Sequence, residues 1–201
     1  MPAHEISFVI CSYLLGSIPF GFILYYLTEK KDIRSEGSGN IGAMNVMRTK
    51  GRFAGIATLL LDISKSAFPI LYGMKHFDSP VTIMAGGAAA VLGHLFPVWI
   101  KFRGGKGIAC FLGVLIAFNF NAALVFGAAF LSIIYITRIA SAGSIAGVAS
   151  VFLFILFTQV VEVSMMIFAI AGLIISRHHT NIKRIAKGCE NKFKWNKNEQ
   201  C

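Results

Sequence analysis

Residues 108–136 read IACFLGVLIAFNFNAALVFGAAFLSIIYI, a run without a single Asp, Glu, Lys or Arg. One long helix through it would carry the amides of Asn119 and Asn121 into hydrocarbon, where nothing outside the chain can satisfy them. A turn at those asparagines keeps them at a polar edge, so the run is read as two helices, 108–118 and 122–136. That reading sets the parity of the whole chain.

Outward from this run, further apolar stretches lie at 6–27, 54–73, 81–100, 145–161 and 163–176. With the two halves of 108–136 they make seven, several of them shorter than the ~20 residues of a perpendicular crossing. Lys and Arg resist translocation, and they cluster at alternate ends of these stretches. Six lie in 28–53, Lys101, Arg103 and Lys106 follow the third stretch, Arg138 follows the fifth, and seven lie from Arg177 onward. The opposite loops hold only Lys75. Seven crossings put every basic cluster on one side, with the N-terminus outside and the C-terminus in the cytosol. An even count would strand the basic tail on the wrong side.

The composition agrees: 56% of the 201 residues are hydrophobic and 14% charged, with a mean hydropathy of +0.69. The expected fold class is an all-α integral membrane protein, a bundle of about seven transmembrane helices forming one domain over 1–201. Residues 192–201 are polar enough to fray. The first stretch lacks a basic n-region and a small-residue cleavage site, so it reads as a retained helix rather than a signal peptide. The net charge of +10 is divided among short loops, which suits phosphate head groups and anionic substrates better than nucleic acid. Cys11, Cys110, Cys189 and Cys201 are far apart with no metal-type spacing and are expected to be free thiols.

Three polar segments carry chemistry. The first, Glu36-Gly37-Ser38-Gly39-Asn40-Ile41-Gly42-Ala43-Met44-Asn45-Val46-Met47-Arg48, is dense in Gly, Ser and Asn, which lets backbone N–H groups turn toward an anion. Arg48 adds a planar, permanently charged fork for phosphate. The second places Gly104, Gly105, Lys106 and Gly107 just ahead of an apolar helix, whose N-terminal dipole favours phosphate. It is not a nucleotide-binding Walker loop, because Gly107 stands where Ser or Thr is required. The third, Arg177-His178-His179-Thr180-Asn181-Ile182-Lys183-Arg184, offers a proton acceptor at the membrane edge, with Asn181 on the face of His178 if the last helix continues.

Other polar residues are read more plainly. Asp62 and Lys65, three apart within the second stretch, form either a mutual ion pair or a substrate contact. Ser144 caps the sixth helix or meets a phosphate oxygen, capping being the safer reading. Glu162 marks the turn between the last two stretches, and His76 and His94 are given structural roles.

Taken together, GSGNIGAMNVMR at 37–48, LDISK at 61–65, GHLFPVWIKFRGGKGIA at 93–109 and the HHTNIKR tail ending in Gly188 and Glu190 resemble the acyl-phosphate:glycerol-3-phosphate acyltransferase family (PlsY type) of bacterial membranes, nearly end to end. The resemblance implies transfer of a fatty acyl group from acyl phosphate to the 1-hydroxyl of glycerol 3-phosphate, giving lysophosphatidic acid and inorganic phosphate in phospholipid biosynthesis. It implies a multi-pass protein of the bacterial cytoplasmic (inner) membrane with a cytosolic active site, and membrane lipids as neighbours. Ser38, Arg48, His178 and Asn181 match residues needed for activity, Gly104, Gly105 and Gly107 match those tied to glycerol 3-phosphate, and Glu190 matches a structural residue. Met44 stands where Thr is usual, Ser66 where Gly usually follows the lysine, and Arg103 where Lys is common.

The residues suit that chemistry. An acyl phosphate is already activated, so the protein needs chiefly to hold two phosphorylated molecules with hydroxyl against carbonyl, and no acyl-enzyme is required. Arg48, Lys106 and the glycine backbone are expected to clamp phosphate, Ser38, Asn40 and Asn45 to orient the reacting groups, and His178 with Asn181 to align or move a proton. The proton's acceptor stays open among His178, Ser38 and the substrate phosphate. No HxxxxD motif follows any histidine, against the thioester-using acyltransferases, and no cofactor or metal cage is expected. A transporter of phosphorylated solutes is the alternative, but it should carry its site near midplane between repeats, and none is found.

Overall fold

The computed structural model describes residues 1–192, which form ten α-helices and no strand. Apart from Lys192, the segment expected to fray lies outside the described residues, as does Cys201. Two compact units divide the chain, Met1–Asn119 and Phe120–Cys201.

The first unit holds α1 (Ala3–Gly16), α2 (Phe20–Glu29), α3 (Ala43–Lys50), α4 (Arg52–His76), α5 (Pro80–Leu95) and α6 (Ile108–Phe118). The stretch expected as one helix over 6–27 is interrupted at 17–19, where Pro19 brings no N–H and a ring that blocks helical continuation. Helix α1 packs on α5, α4 packs on α5 and α6, and α3 lies on α4. Lipid gives no hydrophobic drive between helices, so close approach must do the work. A Cβ on Gly16 would lie 2.1 Å from the carbonyl oxygen of Ala90, and one on Gly93 would lie 2.3 Å from that of Tyr13. The backbones of α1 and α5 therefore touch.

Asn119 ends α6 in extended backbone, and the next helix starts at Phe120. The 108–136 run is two helices, broken at Asn119 alone: Asn121, expected in the turn, is the second residue of the next helix, which starts at Phe120 and not at 122.

The second unit holds α7 (Phe120–Thr137), α8 (Ala140–Ile155), α9 (Val161–Ser176) and α10 (His179–Ala186), with α8 packed against α7, α9 and α10. Helix α8 begins at Ala140, earlier than the expected 145, because the Thr137 hydroxyl accepts the Ile139 N–H at 3.1 Å and closes the turn. Ser144 thus sits inside the helix and does not cap it. The last helix does not continue through His178 either: α9 stops at Ser176 and the axis bends by 55° into α10.

Ala3–Glu29, Arg52–His76, Pro80–Ile100 and Phe120–Thr137 are long and apolar enough to cross a membrane, and the bent pair α9–α10 counted as one makes a fifth. Ile108–Phe118 and Ala140–Ile155 are apolar but shorter.

Candidate active site

The first polar segment is folded around one side chain. Asn45 is 2% exposed; its Oδ1 accepts the Ser38 N–H at 2.8 Å, and its Nδ2 donates to the carbonyls of Glu36 at 3.0 Å and Asn40 at 2.8 Å. Both of the amide's N–H donors and one lone pair of its oxygen are taken by the loop's own backbone. Asn45 therefore shapes the loop. Asn40 accepts the Gly42 N–H at 2.8 Å, a local turn that leads into α3. Ser38 is thereby fixed, half-buried, on a stapled loop, while Arg48 projects exposed from the last turn of α3.

Nearby, Arg34 forks onto Asp32 and donates from Nη1 to the Ile100 carbonyl at 3.3 Å. Hydrogen bonding from Arg34 holds the Asp32 carboxyl below its ordinary range. Ile100 also packs with Tyr25, Ile33, Ile41 and Val46. The first loop is thus tied to the turn that precedes the second.

That turn takes Lys101 and Phe102 through left-handed backbone, at φ 58° and 59°, and sends the chain back over the end of α5. The Gly104 N–H donates to the Leu95 carbonyl at 3.2 Å and the Gly105 N–H to that of His94 at 3.1 Å. These two N–H groups face α5, so they are not the anion donors expected of the glycine loop. The reason for glycine is the floor beneath it: a Cβ on Gly104 would lie 2.1 Å from the His94 carbonyl oxygen, and one on Gly105 would lie 2.1 Å from His94 Nε2. Gly107, at φ 85°, then opens α6, whose first N–H groups have no partners within the helix. Lys106 stands at that helix start, half-buried.

Beneath the loop lies a buried polar cluster. Asp62, Lys65 and His94 are at most 4% exposed. Lys65 Nζ stands 2.8 Å from Asp62 Oδ1, 3.0 Å from His94 Nδ1 and 2.7 Å from the Ile18 carbonyl oxygen, which the interruption between α1 and α2 leaves available. Cys110 adds an S–H donated to the Asp62 carbonyl at 3.3 Å. Asp62, His94 and Cys110 bring their ligand-type atoms within 4.8 Å of one another, a cluster the sequence spacing did not reveal. The Lys65 ammonium already supplies positive charge there, so the arrangement reads as an ion pair ringed by dipoles. Of the two readings of Asp62 and Lys65, the geometry favours mutual pairing.

In the second unit, His178 is 2% exposed and Asn181 4%. The Ile174 carbonyl lies 2.8 Å from His178 Nδ1 and can only accept, which puts the proton on Nδ1 and the lone pair of a neutral ring on Nε2. His179 is exposed and contacts the Ser176 carbonyl. Glu190 gathers the tail: its Oε1 accepts from Ser141 at 2.9 Å and from Asn181 Nδ2 at 2.6 Å, and its Oε2 accepts from Arg184 at 2.6 Å. Burial alone would raise this carboxyl, but the bonds from Arg184, Asn181 and Ser141 outweigh it and hold the group below its ordinary 4.5. Ser144 turns its hydroxyl to the Ala140 carbonyl at 2.9 Å.

The family model for glycerol-3-phosphate acyltransferase matches residues 6–188. The chain belongs to this family. A glycerol-3-phosphate acyltransferase of Pelagibacter ubique is 43% identical over 183 residues, which are 91% of this chain and 94% of that one. The fold is similar to that of PlsY (YgiH), an integral membrane glycerol 3-phosphate acyltransferase, in its glycerol 3-phosphate form, with a TM-score of 0.91 at 40% identity over 96% of both chains. The lysophosphatidic acid form of that protein gives 0.87 at 39% identity, again over 96% of both. This acyltransferase is accordingly a membrane protein of phospholipid synthesis.

Within it, sequence reasoning missed Ser141 in favour of Ser144, three positions on, because a hydroxyl near a helix start signals a cap and not a distant carboxylate. It missed Asn45 as a staple because an asparagine in a glycine-rich loop looks the same whether it faces substrate or backbone. His94 was given a structural part, and nothing in the sequence joined it to Lys65 or Gly105.

Proposed function

We propose that this acyltransferase uses acyl phosphate as donor and the 1-hydroxyl of glycerol 3-phosphate as acceptor, without a covalent acyl-enzyme. The hydroxyl oxygen attacks the acyl carbon, the bond from that carbon to the phosphate oxygen breaks, and inorganic phosphate leaves. The observation that carries the reading is a pair of anion-suited elements in one unit: the stapled loop with Ser38 and Arg48, and the start of α6 with Lys106, joined through Arg34 and Ile100. Two phosphorylated substrates call for two such elements. Arg48 and Lys106 bind phosphate by charge, and Ser38 orients a reacting oxygen. His178 with Asn181 assists alignment or proton transfer, the proton going to His178, Ser38 or the substrate phosphate, and Asn181 and Glu190 hold the segment that carries the imidazole. Ser144 remains a candidate phosphate contact.

Seven crossings with the N-terminus outside, the basic loops and the site in the cytosol, and the bacterial inner membrane as location complete this reading. The Lys and Arg asymmetry supports it. The test is phosphate release by detergent-purified protein given palmitoyl phosphate, with and without glycerol 3-phosphate, and with palmitoyl-CoA as a parallel donor. Release should require glycerol 3-phosphate and disappear in Ser38→Ala. Turnover with the thioester alone would reject the donor.

A further inference from the structure

The buried cluster under the glycine loop has no part in the chemistry above, yet it meets the loop through His94. His94 is wedged between two groups. On one side Nδ1 stands 3.0 Å from the Lys65 ammonium and 3.6 Å from Asp62 Oδ1. On the other side Nε2 faces Gly105, so close that a methyl group there would stand 2.1 Å from it. The ring cannot tilt freely, because Lys65 is itself held by Asp62 and by the Ile18 carbonyl. The His94 main chain completes the seat by accepting the Gly105 N–H.

We propose that His94 is a positioning residue for glycerol 3-phosphate: its imidazole, braced by Lys65 and Asp62, is the floor on which residues 104–107 are laid, and it sets where Lys106 and the start of α6 meet phosphate. This rests on reading 104–107 as a phosphate-binding element. A displacement of the loop by a fraction of an ångström moves Lys106 relative to its ligand, and misplacement by about 1 Å from a remote change can cost on the order of 100-fold in rate. The position thus acts on the substrate without touching it.

The experiment uses the full-length enzyme in detergent, with KM for glycerol 3-phosphate and kcat measured for five variants. His94→Asn keeps an acceptor for Lys65 but withdraws the ring edge from Gly105. It should fold normally and raise KM about tenfold with kcat changed less than about threefold; His94→Ala should do the same. Gly105→Ala drives a Cβ into Nε2 and should lose about 100-fold in kcat/KM. Joined to His94→Ala it should regain part of that loss, since the clash is gone and the two effects are coupled rather than additive. Lys106→Ala separates the layers. If it raises KM while His94→Asn and His94→Ala leave KM unchanged, the loop binds phosphate and His94 does not position it. Losses that simply add in the Gly105→Ala/His94→Ala protein overturn the contact in the same way. If Lys106→Ala leaves KM unchanged, the reading of the loop itself falls, and the role of His94 falls with it.

Discussion

Asp62 in the first unit and Glu190 in the second are both enclosed carboxylates, and they are satisfied in opposite ways. Asp62 has the Lys65 ammonium 2.8 Å from Oδ1, yet that oxygen receives no well-directed hydrogen bond. Glu190 receives three directed bonds, from Ser141, Asn181 and Arg184. The first arrangement neutralises charge inside apolar helices, and the second is a clasp that fastens α8 to the segment around α10. An ion pair of the first kind can be exchanged for matched apolar groups. A clasp cannot, because its partners are chosen by direction and not only by sign.

The largest effect should follow from breaking the pair on one side. Asp62→Leu alone leaves a buried ammonium and should destabilise by about 3–5 kcal/mol, whereas Asp62→Leu with Lys65→Met should return to within about 2 kcal/mol of the parent. Thermal unfolding in detergent measures both, and a double variant as unstable as the sum of the singles would erase the contrast. Asn45 represents a third, uncharged mode, an amide closed on backbone. Asn45→Ala should cost about 2–3 kcal/mol through the buried groups it leaves unpaired, seen as faster hydrogen exchange at Ser38. Glu190→Gln keeps the clasp's shape without its charge and should cost about 1–2 kcal/mol, confined to amides of α10.

The same clasp should respond to acid. Because the folded carboxyl titrates below its ordinary 4.5, its contribution is fully present above that value and is lost as pH falls through the lower, folded one. Exchange protection of α10 should decline in that window in the parent and not in Glu190→Gln. The smallest effect is expected at Asp32, where a pair with Arg34 lies about one-third exposed, at 39% and 30%. Asp32→Asn should cost below about 1 kcal/mol, and less in high salt.

The helices were legible because lipid demands long uncharged runs, and Asn119 marks a break that hydrocarbon would not tolerate. The interruption at Ser17–Pro19 was also written in the chain, but apolar character runs unbroken across it and masked the proline. Asp62 and Lys65 could be paired from spacing alone, since three residues on a helix share a face. His94 could not be added to them, nor Cys110, because tertiary packing across α4, α5 and α6 brings them together. The glycines at 104 and 105 show the deeper limit. Their presence was read as a need for close approach to phosphate, and the structure shows a close approach of the protein's own α5.

The partners of Lys65 also bear on biogenesis. Synthesis from the N-terminus presents Ile18 first, then Asp62 together with Lys65, and His94 last. The second apolar stretch therefore enters the bilayer with one compensating charge on its own helix and one carbonyl in the break between two helices made before it. Only the imidazole must be awaited. A ribosome-bound nascent chain ending before α5 would already hold its lysine between two of its three ligands, and the arrival of the third would register that α5 has docked.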